Sequence, residues 1–349
     1  MSAHPPIGIL LFNLGGPDDL NAVEPFLVNL FSDREIIELP GGSLLQPLVA
    51  RLIAKMRGPS VRRNYALIGG GSPQLRITEA QRHALQERLN HGNPPGSPAF
   101  RVTVAMRYSR PSASDALQQM RKAGITRIVT LSLFPQWSKA TTGSSRNELE
   151  RTLSLPEWRT CPFDFSHIEH YAADAGYLDA MTATAMRAWN RIPVERRGKT
   201  VILFSAHGLP QKFIDDGDPY VEHIQATRRG ILARLQLPNR QLLAYQSRTG
   251  PVKWLGPGTE EIIEQLGREG VSDLLIIPLS FVSDHIETLY EVDLLFAETA
   301  RKSGITGYYR PDALNTEPLF IEALAGLVQA HLGISPDRAV EQLSFSGAS

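Results

Sequence analysis

Residues 273–293 run Asp273-Leu274-Leu275-Ile276-Ile277-Pro278-Leu279-Ser280-Phe281-Val282-Ser283-Asp284-His285-Ile286-Glu287-Thr288-Leu289-Tyr290-Glu291-Val292-Asp293. The first half is a continuous apolar run, the pattern of a strand buried on both faces of a parallel sheet. The second half turns polar abruptly and reads as a helix starting at the strand's C-terminal end. On that helix Asp284, Glu287 and Glu291 stand at i, i+3 and i+7 and share one face. Ligands of open α/β sheets bind at the C-terminal ends of strands. An acidic stripe with His285 embedded in it therefore points to metal or proton chemistry. A second reading takes Asp284 and Glu287 as a helix-capping pair, which leaves Glu291 and His285 unexplained.

Outward from this stretch, apolar strands alternate with amphipathic helices, the pattern of an α/β protein with parallel sheets. Strands are predicted at 7–12, 101–106, 127–134, 200–205, 241–245 and 274–279. Helices are predicted at 44–56, 79–90, 112–122, 177–190, 219–234, 260–268 and 319–331. Residues 116–134 superimpose without a gap on 262–280, placing Gln119 on Gln265, Gly124 on Gly270, Ile125 on Val271 and Leu133 on Leu279. Leu11-Phe12-Asn13-Leu14-Gly15-Gly16 likewise lies over Leu203-Phe204-Ser205-Ala206-His207-Gly208. Such a repeat predicts two similar α/β domains, parallel sheets flanked by helices, with a cleft between them; the weaker reading is that any two βα units look alike. The expected domains are residues 1–165 and 166–315. A C-terminal helix within 316–335 follows, with packing back on the first domain as one arrangement.

The bulk composition narrows the classes. The 349 residues suffice for two domains, and 42% apolar with 21% charged residues is ordinary for a globular chain. Lys plus Arg and Asp plus Glu are 36 each, so no net charge attracts nucleic acid. Cys161 is the only cysteine, which excludes an intramolecular disulfide, a four-cysteine zinc site and a cysteine-ligated iron–sulfur cluster. The first residues carry no basic leader, and no apolar run approaches the ~20 residues of a spanning helix. A cytoplasmic location is expected, with any membrane contact peripheral at the inner face.

If the halves face each other, the loop Ser205-Ala206-His207-Gly208-Leu209-Pro210 enters the cleft. His207 then sits at a strand end as ligand or base, although a lone histidine is more often structural. With Asp284, His285, Glu287 and Glu291 it offers mixed nitrogen and oxygen donors, suited to Fe²⁺, Co²⁺ or Zn²⁺, and to moving protons. Ile68-Gly69-Gly70-Gly71-Ser72-Pro73 and Thr141-Thr142-Gly143-Ser144-Ser145 offer backbone N–H groups and hydroxyls to an anion. Neither is a P-loop or a dinucleotide fingerprint. Leu44, Leu45, Leu48, Val49, Leu52, Ile53 and Met56 form one stripe beside Arg51, Lys55 and Arg57. That stripe is either a core face or a lip touching membrane or a large apolar ligand. Trp254, in a Gly/Pro-rich loop, is placed to wall a cleft.

These motifs resemble the ferrochelatases, enzymes that insert Fe²⁺ into a porphyrin. The resemblance rests on Asn13-Leu14-Gly15-Gly16-Pro17, Gly69-Gly70-Gly71-Ser72-Pro73, Arg107-Tyr108, Thr141-Thr142-Gly143-Ser144-Ser145, Ser205-Ala206-His207-Gly208-Leu209-Pro210, Trp254-Leu255-Gly256-Pro257 and residues 283–291. It implies two similar Rossmann-like domains with the active site in the cleft between them, and a lyase forming protohaem from protoporphyrin IX, with Fe²⁺ and porphyrin as substrates and no retained cofactor. It implies His207 and Glu287 as catalytic and metal-side residues, and Asp284, His285 and Glu291 as a proton or iron path. Leu14, Arg57, Ser72, Arg107, Tyr108 and Trp254 are the implied porphyrin contacts. Lys139 stands where cluster-binding members carry a cysteine, so no iron–sulfur cluster is expected. Gly15-Gly16-Pro17 resembles the protoporphyrin group rather than the coproporphyrin group. The alternatives are a chelatase for another metal or tetrapyrrole and a non-catalytic tetrapyrrole carrier. A nucleotide-dependent enzyme lacks its phosphate fingerprint here.

Overall fold

The computed structural model describes residues 5–37, 42–91, 93, 97–248 and 252–334. Residues 1–4, Gly250-Pro251 of the Trp254 loop, and residue 335 of the expected C-terminal segment lie outside them. The first sheet holds β1 (Ile7–Asn13), β2 (Phe100–Met106), β3 (Arg127–Ser132) and β4 (Asp164–Ile168), all parallel, in the order β2-β1-β3-β4. The second holds β5 (Val201–His207), β6 (Gln241–Gln246), β7 (Asp273–Pro278) and β8 (Gly307–Tyr309), also parallel, in the order β6-β5-β7-β8. The second order is the first shifted by four strands, so the repeat seen in the sequence is a repeat of topology. In each sheet the order reverses beside the first strand, which places a ligand crevice at the C-terminal ends of β5 and β7.

Helices α1 (Val23–Ser32), α2 (Gly42–Leu67), α3 (Gln74–Asn90), α4 (Ala113–Lys122) and α5 (Ser144–Leu153) accompany the first sheet in sequence. Helices α6 (Ala175–Asn190), α7 (Val194–Arg197), α8 (Gln211–Asp215), α9 (Tyr220–Leu235), α10 (Thr259–Arg268) and α11 (Ala297–Lys302) accompany the second, and α12 (Pro318–His331) follows. Helix α4 starts at a Ser112/Asp115 capping box. Helices α4 and α10 stop before Gly124 and Gly270, whose φ values of 68° and 78° are left-handed, the conformation glycine adopts without strain.

Alternation along the strands builds the core. On β1, Ile7, Ile9 and Leu11 face one cluster, whereas Leu10 and Phe12 face another with Leu117 and Met120 of α4. On β7, Leu275 and Ile277 join the same cluster as Ile9, while Leu274 and Ile276 pack with Ile263 and Phe296. One apolar core is therefore shared by both sheets, and it fixes how their strand ends lie relative to each other. Helix α12 packs into that core through Phe320, Leu324 and Val328, against α3 and α6.

Several elements depart from the pattern reading. Helices α1 and α5 and the edge strands β4 and β8 were not predicted. Strand β8 has only three residues, too few to show a period, and β4 spans the expected division at residue 165. Helix α2 continues eleven residues beyond Met56, through Pro59, and holds Pro47 inside as well. Its leucine stripe is not a core face. Leu44 is 89% exposed, Leu48 60%, Leu52 58% and Met56 66%, while Gln46, Ala50 and Ala54 turn inward.

Candidate active site

His207 is the last residue of β5. Its backbone N–H donates to Ser280 Oγ at 2.9 Å, and its carbonyl accepts from the Tyr220 hydroxyl at 2.9 Å. The main chain is thus pinned while the side chain stays available. Its ring meets the edge of Phe281 at 5.7 Å between centroids. Its Nδ1 is buried with no hydrogen-bond partner, a costly arrangement for a purely structural histidine. Gly208 lets the loop pass close to β6 and Trp254, since a Cβ on it would lie 2.8 Å from the Gln246 carbonyl oxygen and 3.6 Å from Trp254. Trp254 itself is bridged antiparallel to Pro210, with Leu255 N–H donating to the Leu209 carbonyl at 2.9 Å. That ladder sets the tryptophan beside the His207 loop.

The acidic stretch is built differently from the sequence expectation. The helix following β7 is a π-helical segment, Glu287–Phe296, and eight residues separate it from the strand. A wider π turn is frequent at functional sites. Asp284 lies before this helix, so it shares no helical face with Glu287 and Glu291, and it forms no capping pair with Glu287. Other partners capture it instead. Its Oδ1 accepts from Thr288 Oγ1 at 3.1 Å and from Arg310 Nη1 at 3.3 Å, and its Oδ2 accepts from Asn315 Nδ2 at 3.0 Å. The equivalent position in the first half, after β3, is also π-helical, Lys139–Gly143.

His285 and Glu287 form a close pair, with Nε2 2.9 Å from Glu287 Oε2. His285 Nδ1 lies 3.0 Å from the Ser283 carbonyl, which makes Nδ1 the donor there and turns Nε2 toward the carboxylate. Burial alone lowers the proton affinity of His285, but the Glu287 charge and its hydrogen bond outweigh that and raise it. Burial opposes ionisation of Glu287, yet the His285 charge and hydrogen bond hold its pKa well below the usual carboxylate range. For His207 burial dominates over the attraction of Glu287 and lowers its pKa. The two imidazoles are thus pushed in opposite directions, His285 toward its protonated form and His207 toward its neutral form. Glu291 accepts from Gln246 Nε2 and the Ser247 hydroxyl. Burial first, and the neighbouring Glu287 charge second, push its pKa up to about 7.

The expected porphyrin contacts from the first half sit on other elements. Leu14 follows β1, and its carbonyl accepts from Tyr108 N–H at 3.0 Å. Arg107 and Tyr108 converge on buried Asp33, with Arg107 Nη2 at 2.7 Å and the Tyr108 hydroxyl at 2.6 Å from its Oδ2. Ser144 Oγ donates to the same oxygen at 2.8 Å. Tyr108 is itself buried, so the Asp33 carboxylate engages its hydroxyl. Arg57 is exposed on α2, with its guanidinium 5.7 Å from the Phe31 ring centroid. Ser72 packs on Gly16, where a Cβ would come within 2.5 Å of Ser72 Oγ. The Gly70 and Ser72 N–H groups donate to the Tyr65 and Pro17 carbonyls. Those two donors of the expected anion cradle are therefore occupied. In the second cradle, the Thr141 and Gly143 N–H groups donate to the Ser138 carbonyl.

The comparisons with known proteins agree with one another. A ferrochelatase family model matches residues 6–332. This chain belongs to the ferrochelatase family. It is 49% identical over 320 residues to the ferrochelatase of Geotalea uraniireducens, covering 92% of this chain and 96% of that one. It is 45% identical over 335 residues to the ferrochelatase of Synechocystis, covering 95% and 84%. Among solved structures, SirB from Bacillus subtilis with Fe³⁺ superposes with a TM-score of 0.55 over 93% of this chain and 94% of that one, at 11% identity. That likeness shows the chelatase-like fold alone.

For a ferrochelatase, several residues around this site escaped the sequence reading. Phe281 stands between the two imidazoles, its ring centroid 4.2 Å from that of His285. In the sequence it is one residue of the apolar run 274–282. Tyr65 of α2 is buried and feels the Glu287 charge, and Ile286 packs on the α1–α2 cluster. Helix α2 therefore meets the π-helical segment, joining the exposed stripe of one half to the acids of the other. Asp33 and Ser144 lie 74 and 37 positions from Arg107, with no local pattern to link them. Asn13, which ends β1 as His207 ends β5, is buried and hydrogen-bonded to Thr78 and Gln74. The repeat carries its imidazole in the second half only. Among the described residues, no three His, Cys, Asp or Glu side chains converge closely enough to hold a metal ion.

Proposed function

We propose that this ferrochelatase inserts Fe²⁺ into protoporphyrin IX, with the macrocycle held between the two sheet halves. The observation that carries the reading is the unpartnered Nδ1 of His207 beside the close His285–Glu287 pair. Insertion must remove two pyrrole protons, and His207, kept neutral by burial, is the base able to accept them. Glu287, held anionic, stabilises positive charge arriving from iron or from protonated His207. Glu291, with a pKa near neutrality, passes protons onward, and His285 belongs to the same path. Iron is a substrate in this scheme, and no retained cofactor takes part.

Leu14, Trp254 and the α2 stripe supply apolar walls, and binding energy gained there sustains a bent macrocycle. Ser72 and Arg57 reach the propionates. Arg107 and Tyr108, fastened to Asp33, shape the pocket as a rigid unit. Gly15-Gly16-Pro17 favours protoporphyrin over coproporphyrin. The expected result is a higher kcat/KM for protoporphyrin when both are offered with Fe²⁺. A reversed preference would reassign the substrate.

We also propose that the exposed α2 stripe makes a peripheral membrane contact at the inner face. No helix among the described residues is long and apolar enough to cross a membrane. Apolar side chains next to Arg51, Lys55 and Arg57 suit the surface of an anionic bilayer. Cosedimentation with vesicles containing anionic lipid is expected for the wild type and lost in Leu48→Ser/Leu52→Ser. Equal sedimentation of both proteins would remove the contact.

A further inference from the structure

We infer that Asp284 is a positioning residue, clamped by Asn315 and Arg310 to hold the His285–Glu287 pair, and not a carrier of protons or iron. The inference rests on the proposed insertion reaction and deepens it. Asn315 grips Asp284 at two points. Its Oδ1 accepts the Asp284 backbone N–H at 3.0 Å, and its Nδ2 donates to Asp284 Oδ2 at 3.0 Å. Arg310 Nη1 and Thr288 Oγ1 occupy the other carboxylate oxygen. With Asn315 on one oxygen and Arg310 on the other, and the Thr288 hydroxyl shared between it and the His285 carbonyl, the carboxylate is engaged on both oxygens.

The clamp reaches the catalytic pair through short links. Thr288 Oγ1 accepts the His285 backbone N–H at 3.0 Å, and Ser283 O takes His285 Nδ1, which aims Nε2 at Glu287. The clamp is itself anchored from both halves. Asn315 N–H donates to the Val282 carbonyl at 2.8 Å. Gln81 of α3 donates to Ser283 Oγ at 3.0 Å and to the Asn315 carbonyl at 2.8 Å. Arg310 is braced by Asp293, with Nη2 2.7 Å from its Oδ2. Asn315 has φ 42°, a left-handed conformation that Asn, Asp and Gly accept and most residues resist. Each residue from 282 to 285 thus has at least one fixed polar group, and the imidazole orientation follows from them.

Exchanging the clamp's partners tests this. In Asp284→Asn/Asn315→Asp the one hydrogen bond between the two side chains re-forms with donor and acceptor reversed, the backbone N–H of residue 284 still finds a carboxylate oxygen at 315, and residue 284 loses its charge. Asp284→Asn alone is expected to lower kcat about 10- to 100-fold, with porphyrin affinity unchanged. The double variant is expected to recover most of that loss. A folded double variant as slow as Asp284→Asn, with wild-type porphyrin affinity, would show that the carboxylate at 284 is itself required and overturn the inference. Should the exchange prevent folding, Asn315→Gly decides, because glycine keeps the backbone and removes the grip. Unchanged kcat there overturns the clamp, and a loss in kcat without a change in porphyrin affinity supports it. Wild-type protein in the same assay separates the two levels. If it inserts no iron, the reaction itself is wrong, and the role given to Asp284 is overturned with it.

Discussion

Replacing His207 with Ala is expected to abolish metal insertion while porphyrin still binds. Removing a positioned base costs about 10²- to 10⁴-fold in rate, and no neighbour can stand in here. Both ring nitrogens of His285 face acceptors, Nδ1 the Ser283 carbonyl and Nε2 the Glu287 carboxylate, so neither offers a lone pair to a pyrrole proton. Burial keeps His207 neutral near pH 7, the state a base must be in before it acts. The substitution leaves the main-chain bonds to Ser280 and Tyr220 intact, so the strand end keeps its place. Porphyrin affinity, read from quenching of protein fluorescence, is therefore expected to stay near the wild-type value. Insertion within tenfold of wild type would remove His207 from the proton-accepting role.

The second large effect is expected for Glu287→Gln, which keeps size and shape but removes the charge. His285 loses the anion that raises its proton affinity, and iron or protonated His207 loses a counter-charge in a buried site. Turnover is expected to fall about 10²-fold or more, on the scale seen when one electrostatic stabiliser is deleted. A change in pH dependence accompanies it. Glu291 stands at about 7, first because of burial and second because of repulsion from Glu287. Deleting that repulsion lowers the Glu291 pKa, so any limb of the kcat–pH profile set by its ionisation moves to lower pH. Near-normal turnover with an unmoved profile would take Glu287 out of the mechanism.

Much of this fold was legible because its signals are local. The apolar run at 274–279 can be satisfied only by a strand covered on both faces. The matching stop glycines Gly124 and Gly270 mark the same helix-to-strand turn in each half, and the two sheets repeat one strand order. The place of His207 at a strand end was legible by the same register, since it closes the strand that opens the second half. The helix carrying the acids was misplaced for a physical reason. Periodicity assumes 3.6 residues per turn from the first polar residue, whereas Asn315 and Arg310, 31 and 26 positions downstream, hold Asp284 off the helix, and the turns that follow are π turns. The exposed side of α2 was equally hidden. A leucine stripe reads the same against a core or against solvent, and only the small inward residues Ala50 and Ala54 distinguish the two. Asp33, the shared anchor of Arg107, Tyr108 and Ser144, gave no signal because its partners come from two distant segments.

The most direct test of the iron-insertion mechanism is anaerobic incubation of the wild-type protein with Fe²⁺ and protoporphyrin IX, following porphyrin fluorescence and haem absorbance together. Loss of fluorescence with matching growth of haem bands, absent in His207→Ala, is the expected result. A porphyrin spectral shift on binding without any metal insertion, with Zn²⁺ and with coproporphyrin as well, would contradict it and make the protein a tetrapyrrole carrier.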